Sequence, residues 1–368
     1  MKKRGLMCVL AAGILAAALT GCSGGETSES AAGSSQAADS TAAAEAESSG
    51  EAEAAAPAEK FVMQIGHAQA ETSPRHVSLE SFKKAVEEQT NGGIEVQIYP
   101  AGQLGDETEM TEAVAMGTLQ AVRGGDLEYL PQITMLSLPL LFDNMEEVHK
   151  VFYSDFVAEK LTSVESEHGM KVLAIGDDSG FRQITNNKRR ITSPDDMKDL
   201  KMRTVLEIMT LSMEAYGASA VSVPFTDLYM AMKTGVCDGQ ENPLALIDNQ
   251  KFYEVQPYIS IIDYMVCAEV MYVNLEWFNS LPAEYQEILT TCARDMMDET
   301  SEIVEADNEK YIQTLTDYGC DVYTLTEEER ESFRPASEEV WKEYIELGRM
   351  TREDLDAMLE ILGKTVSW

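Results

Sequence analysis

Three arginines stand in or at the end of short apolar stretches. Arg123 follows Leu119–Val122 and precedes Gly124-Gly125, Arg182 lies in Ser179-Gly180-Phe181-Arg182-Gln183, and Arg203 ends Leu200-Lys201-Met202-Arg203. In the last stretch Leu200 and Met202 share one face of a strand and Arg203 takes the other. An arginine leaving the carboxyl end of a parallel strand points where open α/β sheets bind their ligands. Its planar fork matches a carboxylate bidentately, and each charge-assisted bond contributes about 1.5–3 kcal/mol. The chain also holds 64 Asp and Glu against 28 Lys and Arg. Each arginine could therefore pair with an acid of its own chain, and residue type alone leaves both roles open.

Other chemistry lacks support. There is no nucleophile elbow, phosphate-binding Gly-Lys loop, dinucleotide fingerprint or HExxH motif. The four histidines, His67, His76, His149 and His168, are never four residues apart. Cys237, Cys267, Cys292 and Cys320 form no CxxC pair and are expected to be buried thiols. No catalytic residue, metal or cofactor is expected, and an enzyme such as a surface hydrolase has nothing to recommend it. A net charge of −36 argues against nucleic acid and anionic lipid surfaces as partners, since both attract basic patches. The 20 methionines could make a flexible ligand surface, but those at helical spacing are expected to fill a core.

The elements that must position the arginines alternate in type. Phe61–Ile65 fits a strand, and Pro74 to Thr90 a helix with Val77, Phe82, Ala85 and Val86 on one face. Ile94, Val96 and Ile98 alternate with polar residues as a half-buried strand does. Asp106 and Glu109 make a capping box, with Gly117 closing that helix. Leu119–Val122 and Lys201–Val205 fit strands, the latter leading into a helix carrying Met209, Met213 and Tyr216. Val221 and Val223 make another strand, Thr226 caps a helix that stops at Gly235, and Val236–Gln240 is a strand again. Such alternation implies α/β architecture with mostly parallel sheets flanked by helices. From Ala283 to about Tyr318 there is no Gly or Pro, which predicts one very long helix that spans two lobes.

The amino end carries an address. Lys2-Lys3-Arg4 precedes an apolar stretch from Leu6 to Leu19, and Leu19-Thr20-Gly21-Cys22 follows. That order is a secretory signal, too short to span a membrane, and it resembles the bacterial lipobox, in which the Cys becomes the acylated first residue. Residues 1–21 are therefore expected to be cleaved and Cys22 lipidated. Cleavage removes three positive charges and takes −36 to −39. Residues 23–59 hold eight acids, no Lys, Arg or aromatic, and fit a disordered tether. The folded body is expected from residue 60 onward, on the outer face of the cytoplasmic membrane (periplasmic side or cell surface).

Several runs in the body resemble the solute-binding proteins of TRAP transporters. They are Pro194-Asp195-Asp196-Met197-Lys198-Asp199-Leu200-Lys201-Met202-Arg203, then Gly235-Val236-Cys237-Asp238-Gly239-Gln240-Glu241-Asn242-Pro243, and Lys251-Phe252-Tyr253-Glu254-Val255-Gln256. Tyr99-Pro100-Ala101-Gly102-Gln103-Leu104-Gly105 and the later Trp277 with Leu281-Pro282 extend the match from about residue 62 to 285. The resemblance implies a two-lobed periplasmic-binding fold, with lobe I at about 60–179 plus 268–305 and lobe II at about 180–267 plus 306–368. It implies a receptor that closes on an organic acid and delivers it to integral permease subunits driven by an ion gradient. It places Arg203 on the ligand carboxylate with Arg182 and Asn242 assisting, Phe225 against the ligand body, and Asp106 and Glu107 near ligand hydroxyls. His67, Arg75, Glu107 and Arg123 add polar cleft candidates that lean toward a sugar acid, with a four-carbon dicarboxylate next. Departures are Asp199 for the usual Gly, Ala220 for a common Pro, and Asp263-Tyr264 where Asn-His is common. A monomer is expected, and an ABC-type binding lipoprotein is the competing function.

Overall fold

Short apolar runs bounded by turn residues become strands, and two sheets collect them. The computed structural model describes residues 60–124, 130–177 and 179–368. The signal, Cys22 and the acidic segment through residue 59 lie outside the described residues. In chain order the strands are β1 (Phe61–Gly66), β2 (Ile94–Tyr99), β3 (Ala121–Gly124), β4 (Met170–Asp177), β5 (Arg182–Asn186), β6 (Lys201–Thr204), β7 (Ser219–Ser222), β8 (Gly239–Pro243), β9 (Tyr258–Met265), β10 (Ala268–Asn274) and β11 (Asp321–Thr324). One sheet runs β2-β1-β3-β10-β4 and the other β11-β9-β5-β8-β6-β7.

The fold is α/β, as expected, but the sheets are mixed. β1 pairs parallel with β2 and β3, while β10 runs antiparallel to both β3 and β4. In the second sheet β6 is parallel to β7 and β8, and β5 is antiparallel to β8 and β9. The antiparallel pairs arise where the chain leaves one sheet for the other. β4 ends at Asp177 in one sheet and β5 opens at Arg182 in the other, and the chain returns from β9 to β10 through Val266 and Cys267.

Helix entry follows local chemistry. The Ser73 side chain accepts from the His76 amide, and Pro74 starts the 16-residue helix Pro74–Gln89. Its buried face carries Ser78, Leu79, Phe82 and Val86; Val77, expected on that face, is 43% exposed. The Asp106–Glu109 capping box is formed as expected. Thr226 does not cap a helix: it sits in the short turn Phe225–Asp227, and the helix Leu228–Thr234 follows without a side-chain cap. Asp199 has φ +63, a conformation glycine adopts without strain and Asp tolerates.

The helix Ala283–Tyr318 is 36 residues long. Its first half packs Leu289, Cys292, Ala293, Met296 and Met297 under the first sheet, against Met63, Ile65 and Phe82. Its second half packs Tyr311 and Leu315 with Ile259 and Ile261 of the second sheet. A third cluster is continuous across both, joining Val122, Val270 and Tyr272 to Ile184, Met202, Ile262 and Tyr264. Among the described residues fifteen methionines are buried, in the core role expected of them. All four described cysteines are free thiols, with Cys237, Cys267 and Cys292 buried and Cys320 half-buried.

Candidate functional site

The residues singled out from sequence gather at one end of each sheet. Arg123 lies at the carboxyl end of β3 and His67 just past that of β1; Arg203 is near the end of β6 and Asn242 near that of β8. Arg182 opens β5, which is antiparallel to β8, so it stands at the same end, opposite Pro243. Glu269, near the start of β10, likewise stands beside the end of β3. These are the ends that border the two crossovers.

Arg203 is 1% exposed. Its Nε donates to the Val223 carbonyl at 2.8 Å, while Nη2 is buried with no partner in the protein. Burial away from water pulls its pKa down to about 10, Glu241 and Glu107 opposing that fall and Arg182 adding to it. A buried guanidinium with an unused arm costs free energy until an acceptor arrives. That unused arm could donate to an anionic oxygen.

Arg182 is held differently. Its Nε and Nη2 both reach the Glu241 carboxylate, and Nη2 also donates to the Glu241 carbonyl and to Asn242 Oδ1, each at 2.9 Å. Asn242 in turn donates to Gln240, whose amide donates to Thr185 Oγ1 at 2.8 Å. Arg182 and Asn242 thus belong to one buried polar chain beneath Arg203. Phe225 is half-buried and meets Phe252 edge-on at 6.0 Å between ring centres.

On the first sheet the sequence candidates form a second cluster. Arg123 is fully buried and spends its donors inside the protein: Nε and Nη2 fork Glu269 at 3.1 Å each, Nη1 reaches Ser78 Oγ at 2.7 Å and the Arg75 carbonyl at 3.1 Å, and Nη2 reaches Thr300 Oγ1 at 2.7 Å. A second ligand carboxylate or a sugar hydroxyl would have to displace those bonds, so the geometry gives Arg123 a positioning role. Arg75, 1% exposed, also pairs with Glu269 and donates to Glu107 at 2.5 Å. Glu107 is the first residue of the helix Glu107–Ala115, where the helix dipole favours a carboxylate. His67 is buried, its Nε2 3.0 Å from His76 Nδ1. Burial first, then the charges of Arg75, His76 and Arg123, pull its pKa down to about 2, so it is neutral.

Glu269 carries no mark in the sequence: it answers Arg123 from 146 residues away and is one of 64 acids. Glu241, quoted above within the Gln240-Glu241-Asn242-Pro243 match but given no role there, answers Arg182 from 59 residues away. Tyr264 is buried, and burial together with the nearby Glu241 raises its pKa well above the usual value. Asp263 accepts from Gln183 at 2.5 Å, and burial raises its pKa. Among the described residues no group of three or more His, Cys, Asp or Glu is arranged to hold a metal.

The two sheets touch near this site. Gly102, in the loop after β2, has φ +68, and a Cβ placed there would come within 2.9 Å of the Thr226 methyl beyond β7. The contact joins the loop after β2 to the turn after β7.

Residues 65–347 match the family model of bacterial extracellular solute-binding protein, family 7. The 2,3-diketo-L-gulonate-binding periplasmic protein YiaO of Escherichia coli is 27% identical over 74% of this chain and 84% of that one. The C4-dicarboxylate-binding periplasmic protein DctP of Rhodobacter capsulatus is 30% identical over 74% and 83%. A TRAP periplasmic solute-binding protein of Desulfovibrio salexigens, solved with bound orotic acid, superposes with a TM-score of 0.78 at 29% identity, covering 83% of this chain and 99% of that one.

Proposed function

The chain belongs to the bacterial extracellular solute-binding proteins of family 7, and from that premise we propose that it captures a carboxylate-bearing small molecule for a TRAP-type transporter. One observation carries the reading: the buried, half-used guanidinium of Arg203 at the strand ends bordering the crossovers. The relatives' named ligands, a diketogulonate, C4-dicarboxylates and orotic acid, share a carboxylate, the group this fork would hold. Such proteins carry solutes outside the cytoplasm, and this chain is likewise a receptor rather than an enzyme.

In the mechanism, the acid enters the open crevice and one carboxylate oxygen takes Arg203 Nη2. Arg182 and Asn242, locked by Glu241 and Gln240, hold the floor beneath it. Phe225 supplies an apolar wall. The lobes (60–179 with 268–305, and 180–267 with 306–368) close over the ligand by bending at the crossovers, excluding water and strengthening the ion pair. The integral permease subunits then accept the ligand. Lipid on Cys22 and the segment 23–59 hold a monomeric receptor close to the permease, raising its local concentration.

A thermal-shift screen of sugar acids, dicarboxylates and 2-oxo acids tests this reading. At least one acid should raise the melting temperature, be recovered unchanged after incubation, and lose its effect in Arg203→Ala. Stabilisation by no acid, or turnover of the bound one, would overturn it. Cys22→Ala should move the protein from the membrane to the soluble fraction with affinity unaltered; a protein that stays with the membrane would contradict the anchor.

A further inference from the structure

The class of acid follows from the charges that line the site, given the receptor reading above. Among the described residues the two clusters bring together four arginines and three glutamates. Glu269 is answered by Arg75 and Arg123, Glu107 by Arg75, and Glu241 by Arg182. Arg203 has only the Val223 carbonyl. His67 is neutral, and Asp263 is met by Gln183 and the charge of Arg330.

Six of the seven charged side chains are buried, and Glu107 is 26% exposed. In such surroundings an ion without a counter-charge costs several kcal/mol even after relaxation. One carboxylate on Arg203 neutralises the set. A second carboxylate on the same ligand would find no uncommitted arginine, because Arg75 is engaged by Glu107 and Glu269 and Arg123 by Glu269. It would also share the site with the Glu107 carboxylate, which is close enough to act on Arg203.

We infer that the site selects a monoanion, an acid with one carboxylate and an uncharged polar remainder, and that Glu107, through its bond to Arg75, is the residue that discriminates against a second carboxylate. Glu107 acts here by sign. It cancels the arginine charge that a dicarboxylate would need.

Pairs of ligands differing only in a terminal CH2OH or COO⁻ provide the test: D-gluconate and L-gulonate against D-glucarate, and 4-hydroxybutyrate against succinate. Calorimetry of the full chain at pH 7.5 should find each monoanion that binds at least tenfold tighter than its dianion. In Glu107→Gln the set gains one net positive charge, and the ratio should move at least tenfold toward the dianion. Dianions binding tighter than their partners to the unaltered protein would overturn the inference while leaving the carboxylate receptor intact. An unchanged ratio in Glu107→Gln would remove Glu107 from it. If no acid of either charge binds, and Arg203→Ala is silent in the broader screen, the receptor reading falls and the inference with it.

Discussion

Replacing Arg203 by Met should make the ligand-free protein more stable and the liganded one far weaker. Desolvation pulls the guanidinium down from the ordinary arginine range to about 10. For a base whose folded pKa lies below its unfolded one, the unfolded chain holds the proton more tightly. The charge therefore costs stability at every pH below about 10, and the cost is relieved only as pH rises from there toward the ordinary arginine range. At about 1.4 kcal/mol per tenfold change in proton affinity, the cost at neutral pH is about 3 kcal/mol. Methionine retains much of the volume but loses the Nε bond to the Val223 carbonyl, about 1 kcal/mol. The net expectation is about 2 kcal/mol of added stability, or a rise of several degrees in melting temperature. Affinity moves the other way: losing the charge-assisted bond to Nη2, about 1.5–3 kcal/mol, should raise Kd about ten- to a hundredfold. Calorimetric scans of the free protein and titrations with the acid ligand read both numbers. A lower melting temperature for the free variant, or a Kd within tenfold of the parent, would refute the view of Arg203 as a charge kept buried for its ligand.

Three further outcomes follow from the same geometry. Arg123→Met should cost about 2–3 kcal/mol in urea unfolding because it deprives the buried Glu269 of one partner, and adding Glu269→Gln should recover most of that; a loss under about 1 kcal/mol would contradict its positioning role. His67 stays neutral when folded while its unfolded form protonates near pH 6.5, so it drains stability as pH falls below that value. His67→Gln should narrow the stability difference between pH 7.5 and pH 5 by about 2 kcal/mol, and an unaltered pH profile would contradict the assignment. Gly102→Ala forces a side chain against Thr226 at a left-handed backbone position; ligand affinity should fall severalfold, with part of it restored by Thr226→Ala, and equal affinity in titrations would show that this contact is not needed for closure.

Some of this was legible in the residues and some was not. The capping box at Asp106 and the helix from Ala283 to Tyr318 depend on local chemistry, a side chain reaching its own turn or a long stretch without Gly or Pro, and both were readable. On the first helix Phe82 and Val86 lie on the expected face but Val77 does not, because Val77 and Leu79 are equally apolar and only packing on the first sheet selects Leu79. β9 and β10 carry no such signal: nearly every residue in them is buried, polar ones included, so neither shows the apolar–polar alternation of a half-buried strand. Their omission is why mostly parallel sheets were expected. In the site, Arg203 and Arg182 were conspicuous as arginines among apolar neighbours, yet the sequence could not say which one was already paired. That depended on Glu241 lying opposite Ile184 in the β5–β8 register, a relation between strands distant in the chain. The same holds for Arg123, whose partner Glu269 sits on a strand that was not foreseen.

The account turns on where the ligand's carboxylate goes. A crystal structure of the protein with the acid that stabilises it most should place a carboxylate oxygen within hydrogen-bond distance of Arg203 Nη2, at about 2.7–2.9 Å, while the Nε bond to Val223, the Arg182–Glu241 pair and the Arg123–Glu269 pair persist. A carboxylate bound elsewhere, with Nη2 of Arg203 still unpartnered, would contradict it.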